Sequence, residues 1–391
     1  MYLFLLTFWR ALQMVALAVF APFERGRSLR GALLVILLLP LFLAWQLLHW
    51  VGLLLDELLF RGYRRVPVRQ PLFVIGPPRT GTTHLHHVLS TDPDTTTFRT
   101  WECLFGLSIT ARYIAIGAGK LHRNLGSAFA KLGARIGRRV AGPLDDIHPI
   151  RLDDPEEDFL TLMPLLACFL IVVPLPRARW LWRLARFDAD VHGPERRAVL
   201  QYYRRAIQKH LYVFGTDKTF LSKNASFAGM TSSLLEEFPD ARIIATVRDP
   251  KSVVPSQLSS LRPAMELCGF RQIPKPVQDD FLRLLEHYYA SLRRTHDAYP
   301  GRIAFIENSE LRYDLVPSIE RAFEKLQLSL SESLRAGADR LARGTETKAS
   351  SHSYTLEEFG LDEQSIRSRF AAIYTNFEFG RFQPVRSKAS G

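Results

Sequence analysis

A short stretch of the chain has the composition and spacing of a phosphate-binding loop. Gly76 and Gly81 bracket this stretch, GPPRTGTT over residues 76–83, and the apolar run PLFVI precedes it. A strand that enters such a turn and leaves it as a helix points backbone N–H groups at one spot, and the helix dipole adds to their attraction for anions. Thr82 stands where a nucleotide triphosphatase loop carries its lysine, and Arg79 supplies a cation instead. The loop therefore predicts a phosphate-bearing ligand other than a triphosphate.

A second anion-binding element lies in RIIATVRDPKSVVPSQ, residues 242–257. Arg248 directly follows an apolar run, and Ser256 comes eight residues later on a predicted helix. Ligands of α/β proteins bind at the carboxyl ends of parallel strands, so both side chains are expected in the same crevice as the loop. A guanidinium fork and a hydroxyl suit a second, separate phosphate.

The elements that must position these residues follow the pattern of an α/β domain. Short apolar runs separated by helical stretches predict a mainly parallel sheet with right-handed crossovers. Strands are predicted at 71–75, 219–223, 242–247 and 302–307, and long helices at 193–214 and 279–299. The fold class is therefore α/β, a P-loop-like, mainly parallel sheet flanked by helices. We expect one domain over 70–391, with 103–215 as a largely helical insertion.

The N-terminus predicts attachment to a membrane. Residues 31–60 contain about 25 apolar-dominated positions, and roughly 20 are enough to cross a bilayer, so this run is a spanning or re-entrant candidate. Residues 2–23 are also apolar but include Arg10 and Gln13, which leaves a second span or an interfacial helix open. We predict a membrane-associated helical region over 1–65. Flanking arginines favour a catalytic region on the cytoplasmic side, and the excess of arginine over lysine, 41 to 10, suggests a bacterial inner membrane.

Composition and residue spacing argue against disulfide, metal and nucleic-acid sites. Three scattered cysteines, Cys103, Cys168 and Cys268, form neither a disulfide framework nor a zinc pattern. His84 and His87 share a helical face but have no partner cluster, so no metal is predicted. The net charge of +12 includes a stretch from 103 to 144 that has no acidic residue. No nucleic-acid recognition motif accompanies it, and a membrane surface, an anionic ligand or a solvated helix explains it instead.

Taken together, the two anion-binding elements resemble the sulfotransferase superfamily that uses 3′-phosphoadenosine 5′-phosphosulfate (PAPS). VIGPPRTGTTHLHHVLSTDP is similar to its 5′-phosphosulfate loop, and FPDARIIATVRDPKSVVPSQLSSL to its 3′-phosphate motif. The P-R-[ST]-G-T-T form of the loop resembles the bacterial-type and tyrosylprotein-like branch. The segments TWE, IHPIRLDDPEED and FLSKNASF are further similar pieces, so the likeness spans most of 71–380.

The resemblance implies PAPS as co-substrate, bound without a metal. It explains the missing lysine, because PAPS carries a 5′-phosphosulfate and a 3′-phosphate and no triphosphate. The residues that it implies for donor binding are Arg79, Thr80, Gly81, Thr82, Thr83, Arg248 and Ser256.

The resemblance also implies catalytic roles. Sulfuryl transfer depends on positioning, on cations and on a base for the acceptor. Arg79 is expected to stabilise the loop end, and Lys223 to contact the bridging or leaving oxygens. Glu102 matches the glutamate base of the tyrosylprotein-like branch, with a pKa expected to be raised by apolar neighbours. The histidine of the related K-[SN]-P-x-H pattern is replaced by Phe227, and His148 is the alternative base.

The acceptor is expected to be a hydroxyl compound. Residues 159–182 are unusually apolar, which fits an acceptor pocket, a membrane-contacting lid or plain core. We expect a lipid-linked or amphipathic hydroxyl presented at the bilayer, with a glycan or a protein tyrosine as alternatives. Two other functions stay open at this point: a P-loop kinase or NTPase, which the missing lysine disfavours, and a non-catalytic membrane-anchored nucleotide-binding protein.

Overall fold

The computed structural model describes residues 2–125, 152–345 and 355–380. The strands are β1 (Leu72–Ile75), β2 (Thr95–Thr96), β3 (Thr219–Lys223), β4 (Arg242–Val247) and β5 (Ile303–Glu307). The helices before β3 are α1 (Tyr2–Phe20), α2 (Leu29–Leu59), α3 (Thr82–Leu89), α4 (Thr100–Phe105), α5 (Ile109–Leu125), α6 (Arg179–Ala185), α7 (Phe187–Asp190) and α8 (Gly193–Phe214). Those after it are α9 (Thr231–Glu237), α10 (Pro250–Leu267), α11 (Lys275–Ala298), α12 (Asn308–Tyr313), α13 (Leu315–Lys325), α14 (Glu332–Thr345), α15 (Glu363–Arg369) and α16 (Ala371–Asn376).

A five-stranded parallel sheet in the order β2-β3-β1-β4-β5 forms the centre of the molecule. Leu72 pairs with Leu221 on one side and with Arg242 on the other, which puts β1 in the middle of the sheet. The predicted α/β class and all four predicted strands are confirmed. The edge strand β2 was not predicted, because two threonines carry too little pattern to indicate a strand.

Alternating side chains of β1 serve two separate cores. Leu72 and Val74 point to the face that α3, α12, α13 and α14 cover. Phe73 and Ile75 point to the opposite face, where a larger core includes residues of α1, α8 and α11. Because both faces are covered, the strands are continuous apolar runs, as is typical of parallel sheets.

The apolar segment 159–182 is mostly core. It forms two 3₁₀ helices, Asp158–Leu165 and Phe169–Val172, and then the start of α6. Leu165, Cys168 and Leu181 are buried, whereas Leu170 is exposed. The segment packs beneath the sheet face that carries Phe73 and Ile75. Of the expected insertion 103–215, residues 126–151 lie outside the described residues, including most of its basic stretch.

The two N-terminal helices are long and apolar enough to cross a membrane, by length and composition alone. Each is fastened to the rest of the protein by polar bonds. The buried guanidinium of Arg10 on α1 donates to the Leu165 carbonyl at 2.9 Å and pairs with Glu195 at 2.6 Å. On α2, the buried Asp56 carboxylate pairs with Lys209 of α8 at 2.9 Å.

Candidate functional site

The loop after β1 is folded as a close-fitting cradle. A side chain at Gly76 would put its Cβ 2.4 Å from both Thr246 oxygens, so the loop lies directly against β4. Thr80 is buried, and its hydroxyl donates to the Pro77 carbonyl at 2.7 Å. Gly81 has a φ of 100° and caps the start of α3, a backbone angle that suits glycine. Arg79 also has a positive φ, 69°, which is uncommon for a residue with a side chain and is typical of functional loops.

The amino end of α3 supplies the remaining donors of the loop. Thr82 and Thr83 are its first two residues, the former buried and the latter exposed. The first turn of a helix leaves its backbone N–H groups without partners inside the helix. These groups face the carboxyl end of the sheet, so the arrangement suits an anion.

The loop and the second predicted element lie in direct contact. Arg79 donates through Nε to the Ser256 hydroxyl at 3.0 Å, and Arg248 donates through Nη1 to the Arg79 carbonyl at 3.2 Å. Asp249 caps α10 by accepting from the Lys251 N–H at 2.9 Å. The structure therefore brings together, in one crevice, residues that lie some 170 positions apart in the sequence.

Sequence reasoning missed two residues of this crevice, both on α12. Asn308 donates to the Thr80 carbonyl at 3.0 Å and so holds the loop from the β5 side. Arg312 lies close enough to Arg248 for its charge to affect the pKa of Arg248. Burial lowers the pKa of Arg248, and the guanidiniums of Arg312 and Arg79 lower it further. Neither residue belongs to a recognisable motif, so only the sheet order reveals them.

The crevice is rich in uncompensated positive charge. In the part of the chain that the structure describes, no carboxylate forms an ion pair with Arg79, Arg248 or Arg312. Neighbouring guanidiniums repel one another, and burial of Arg248 adds to the cost. An anionic ligand would relieve both effects.

Lys223 ends β3, the strand beside β1, and its side chain is buried. Its ammonium group contacts the carboxylate of Glu157, which is partly exposed. His86 on α3 is buried, and this burial, followed by the charge of Lys223, lowers the pKa of His86 far below its usual value. Glu157 was not predicted as a site residue, although it lies within the similar segment IHPIRLDDPEED.

The expected raised pKa of Glu102 is wrong. Burial alone would raise it, but the charges of His210 and Arg112 together bring the pKa below its usual value. The carboxylate is fully buried, accepts from Arg112 Nε at 2.9 Å, and lies 2.8 Å from Nδ1 of His210. Its other oxygen accepts from the Arg99 N–H at 3.1 Å, so it also caps α4. Our expectation neglected these partners, because none of them is close to Glu102 in a recognisable motif.

Two other expectations concern histidines. His148, the alternative base, lies outside the described residues. His84 and His87 belong to no cluster of three or more metal-ligating side chains within the described residues.

A narrow apolar cavity lies behind the turn that follows Lys223. Phe227 and Met230 of this turn line it on one side, and Phe159, Leu162 and Leu181 line it on the other. Its volume is ≈ 20 Å³, little more than one water molecule needs. An acceptor chain would enter here only if the surrounding 3₁₀ helices or α6 moved.

Comparison with known proteins agrees with this arrangement. The sulfotransferase family profile matches residues 71–332. The omega-hydroxy-beta-dihydromenaquinone-9 sulfotransferase Stf3, from both Mycobacterium bovis and Mycobacterium tuberculosis, is 27% identical over 328 residues. The alignment covers 80% of this chain and 76% of that relative.

Two solved structures have a similar fold at 19% sequence identity. Sulfotransferase STF9 from Mycobacterium avium superposes with a TM-score of 0.68 and covers 92% of this chain and 89% of its own. Sulfotransferase STF1 from Mycobacterium tuberculosis gives the same TM-score and covers 93% of this chain and 92% of its own.

Proposed function

This chain belongs to the sulfotransferase family and transfers a sulfuryl group, and we propose that PAPS is its donor and a membrane-embedded hydroxyl compound its acceptor. The observation that carries the donor assignment is the group of three guanidiniums, on Arg79, Arg248 and Arg312, around the lysine-free loop. A donor with two separate anionic groups matches that charge, and no triphosphate or metal is needed.

The donor's two anionic groups fit two neighbouring parts of the crevice. The 5′-phosphosulfate is assigned to the cradle between Gly76 and Thr83, where the Gly76 backbone leaves no room for a side chain. Arg248 and Ser256 are assigned to the 3′-phosphate. Arg79 lies between the two parts and bonds to Ser256, so it is placed to orient both groups.

The proposed reaction depends on two cationic side chains and one carboxylate base of this protein. The bond from sulfur to the bridging phosphate oxygen breaks as the acceptor oxygen bonds to sulfur, and the hydroxyl proton passes to a carboxylate. Lys223 and Arg79 stabilise the negative charge that develops on the leaving phosphate. Lys223 is buried, and a charge acts more strongly at such a position than it would in water.

Two carboxylates compete for the role of base. Glu102 matches the family's base by position in the sequence and stays our prediction from the sequence. Its contacts with Arg112 and His210 suit a residue that positions α4. Glu157 is the alternative that geometry favours, because its partly exposed carboxylate already touches Lys223. A base must lie within hydrogen-bond reach of the proton that it removes.

The proposed acceptor is a hydroxyl group on a long apolar molecule. Two observations support it: the large exposed apolar surface of α1 and α2, and the likeness to a relative whose name describes a menaquinone derivative as its substrate.

The test is transfer of radiolabelled sulfur from PAPS to a total lipid extract, with a protein extract and water-soluble sugars in parallel. We expect label in the lipid fraction only. Label confined to protein or sugar would overturn the acceptor proposal, and no label from PAPS in any fraction would overturn the donor proposal.

A further inference from the structure

The buried polar side chains of α2 lie along one stripe, and exposed leucines occupy the other side. Gln46, His49 and Asp56, with Leu53 between them, follow the i, i+3, i+7, i+10 spacing of one helix face and are buried. Leu37, Leu41 and Leu48 lie on the opposite side with exposed fractions of 71%, 67% and 70%. In the described part of the chain, most of the large apolar side chains left exposed lie between residues 2 and 59.

Both ends of α2 and its middle are fastened to the catalytic part of the protein. At its start, the Ser28 N–H donates to the Gly269 carbonyl at 2.7 Å. In the middle, Trp45 donates to the Leu104 carbonyl at 2.8 Å. Near its end, Asp56 accepts from the backbone N–H groups of Ile109 and Thr110.

This pattern of bonds does not fit a helix that crosses a bilayer. A helix of 31 residues is about 46 Å long, so a spanning α2 would place its two ends on opposite sides of a hydrocarbon layer about 30 Å thick. The catalytic part would then have to contact it on both sides and throughout the layer. Trp45 and Gln46, near the middle of α2, bond to the Leu104 and Met163 carbonyls, so these parts of the catalytic region would have to enter the hydrocarbon layer with the helix.

We propose that α1 and α2 lie in the plane of the membrane and dock the whole protein on one leaflet. Their bonded faces hold the catalytic part, and their leucine-rich faces enter the lipid. The surface continues onto the catalytic part at Phe105, next to the Trp45 contact, and at Leu267, close to the start of α2; both are exposed. Phe23, in the turn that joins the two helices, is 79% exposed and extends the same surface.

The positive charge at the two ends of α2 favours docking on a leaflet that contains anionic lipid. Exposed arginines stand at both ends of α2: Arg25 before it and Arg30 in its first turn, and Arg61, Arg65 and Arg69 after it. Basic residues beside an interfacial helix bind anionic headgroups, while the apolar face enters the lipid beneath them. A second copy of the chain would carry the same positive charge, which disfavours pairing through this surface.

A short element connects this surface to the site. The 3₁₀ helix Asp158–Leu165 begins directly after Glu157, the partner of Lys223. Carbonyls at its other end accept from the membrane helices: Met163 from Gln46 at 2.9 Å and Pro164 from Trp50 at 3.0 Å. At about 2 Å per residue, the eight residues place the bonded face of α2 roughly 15 Å from Glu157. A long apolar acceptor would have to extend past α2 by at least that distance to bring its hydroxyl to Lys223.

The first test is flotation of the full-length protein with vesicles of phosphatidylcholine alone or mixed with phosphatidylglycerol. We expect flotation with both and stronger flotation with the anionic mixture. Leu48→Asp should lower the partition coefficient about tenfold or more, and Arg30→Glu with Arg65→Glu should remove the preference for anionic lipid. Leu341→Asp and Arg343→Glu, on α14 at the opposite face of the sheet, are the matched controls and should behave like the parent.

The second test separates docking from spanning. Arg30→Cys and Arg61→Cys mark the two ends of α2 in a Cys268→Ser background, and an impermeant maleimide is added to spheroplasts or to inverted membrane vesicles. We expect both ends to be labelled from the same side. Labelling from opposite sides, or no vesicle binding together with a stable dimer, would overturn the proposal. PAPS binding by Leu48→Asp is measured in parallel, because its persistence shows that a loss of docking leaves the proposed function intact.

Discussion

Arg248 reaches the loop from the adjacent strand, and within the described residues its guanidinium donates only to the carbonyl oxygen of Arg79. Replacement by alanine removes a charged donor that we assign to the 3′-phosphate. We expect PAPS affinity to fall by about 1.5–3 kcal/mol, measured by calorimetry. Arg312→Ala should give a smaller loss in the same direction, because Arg312 contributes charge near the site. Arg343→Ala, an exposed arginine of α14, is the control, and unchanged affinity in Arg248→Ala would refute the assignment.

Two parallel substitutions, Glu102→Gln and Glu157→Gln, distinguish which of the two carboxylates is the base. If Glu102 is the base, Glu102→Gln lowers turnover about 10²–10⁴-fold, in addition to any loss of stability and with PAPS binding unchanged. If Glu157 is the base, Glu157→Gln gives that loss. Glu102→Gln would then chiefly lower the melting temperature, because it weakens the buried contacts with Arg112 and His210. Single-turnover rates and melting curves of both variants decide. Full turnover in both would leave the proton to a group outside this pair.

The residues of the site that the sequence predicted are those carried by continuous motifs. The loop and the Arg248–Ser256 element each lie within about twenty residues, so spacing alone indicates their chemistry. Asn308 and Arg312 enter the site because the helix after β5 reaches the loop and Arg248. Glu157 enters it because it contacts Lys223 at the end of β3. No local pattern encodes that neighbourhood. The environment of Glu102 was missed for the same reason, since His210 lies 108 positions away.

At the scale of elements, the 3₁₀ helix Asp158–Leu165 predicts an unusual pH dependence of stability. Burial raises the pKa of Asp158 from 3.8 to about 7, against the lowering effect of bonds from Tyr203 and Ser222. Between these values the folded protein keeps a proton that the unfolded chain has lost. The resulting stability is fully present below pH about 4 and is lost as the pH rises toward 7, by up to about 4 kcal/mol.

Asp158→Asn removes this titration and keeps an acceptor for the Tyr203 hydroxyl. We expect denaturant unfolding of the variant to depend less on pH between 4 and 7 than that of the parent. Parallel curves for the two proteins would show that Asp158 is ionised throughout that range.

Secondary-structure elements with a strong apolar pattern were predicted from the sequence, and elements with a weak apolar pattern were not. Apolar runs of four to six residues fixed the strands β1, β3, β4 and β5 closely. The hydropathy of α2 indicates lipid contact, but it says nothing about orientation. That information lies in four polar positions, Trp45, Gln46, Trp50 and Asp56, whose partners are 53 to 117 residues away.

For the molecule as a whole, the buried faces of α1 and α2 make them part of the fold. Asp56 is fully buried and accepts three hydrogen bonds from Ile109 and Thr110 in addition to its pair with Lys209. Arg10, also buried, joins α1 to Glu195 of α8. A detachable anchor would have no need of such bonds. The catalytic part therefore depends on both helices for its stability as well as for its location.

Asp56→Ala tests this dependence. The substitution removes the 2.9 Å partner of the buried Lys209 ammonium and leaves it with Glu57 at 4.0 Å. It also leaves two backbone N–H donors unpaired, so we expect a loss of about 3–5 kcal/mol in unfolding free energy. Asp279→Ala, which breaks a half-exposed pair with Lys275, should cost less than about 0.5 kcal/mol. Unfolding is followed by near-UV circular dichroism in detergent, with PAPS binding as a second probe. Because the helices and the sheet share one core, both probes should shift together. An Asp56→Ala protein that unfolds only in α1 and α2, with PAPS binding unchanged, would instead identify the two helices as a separable anchor.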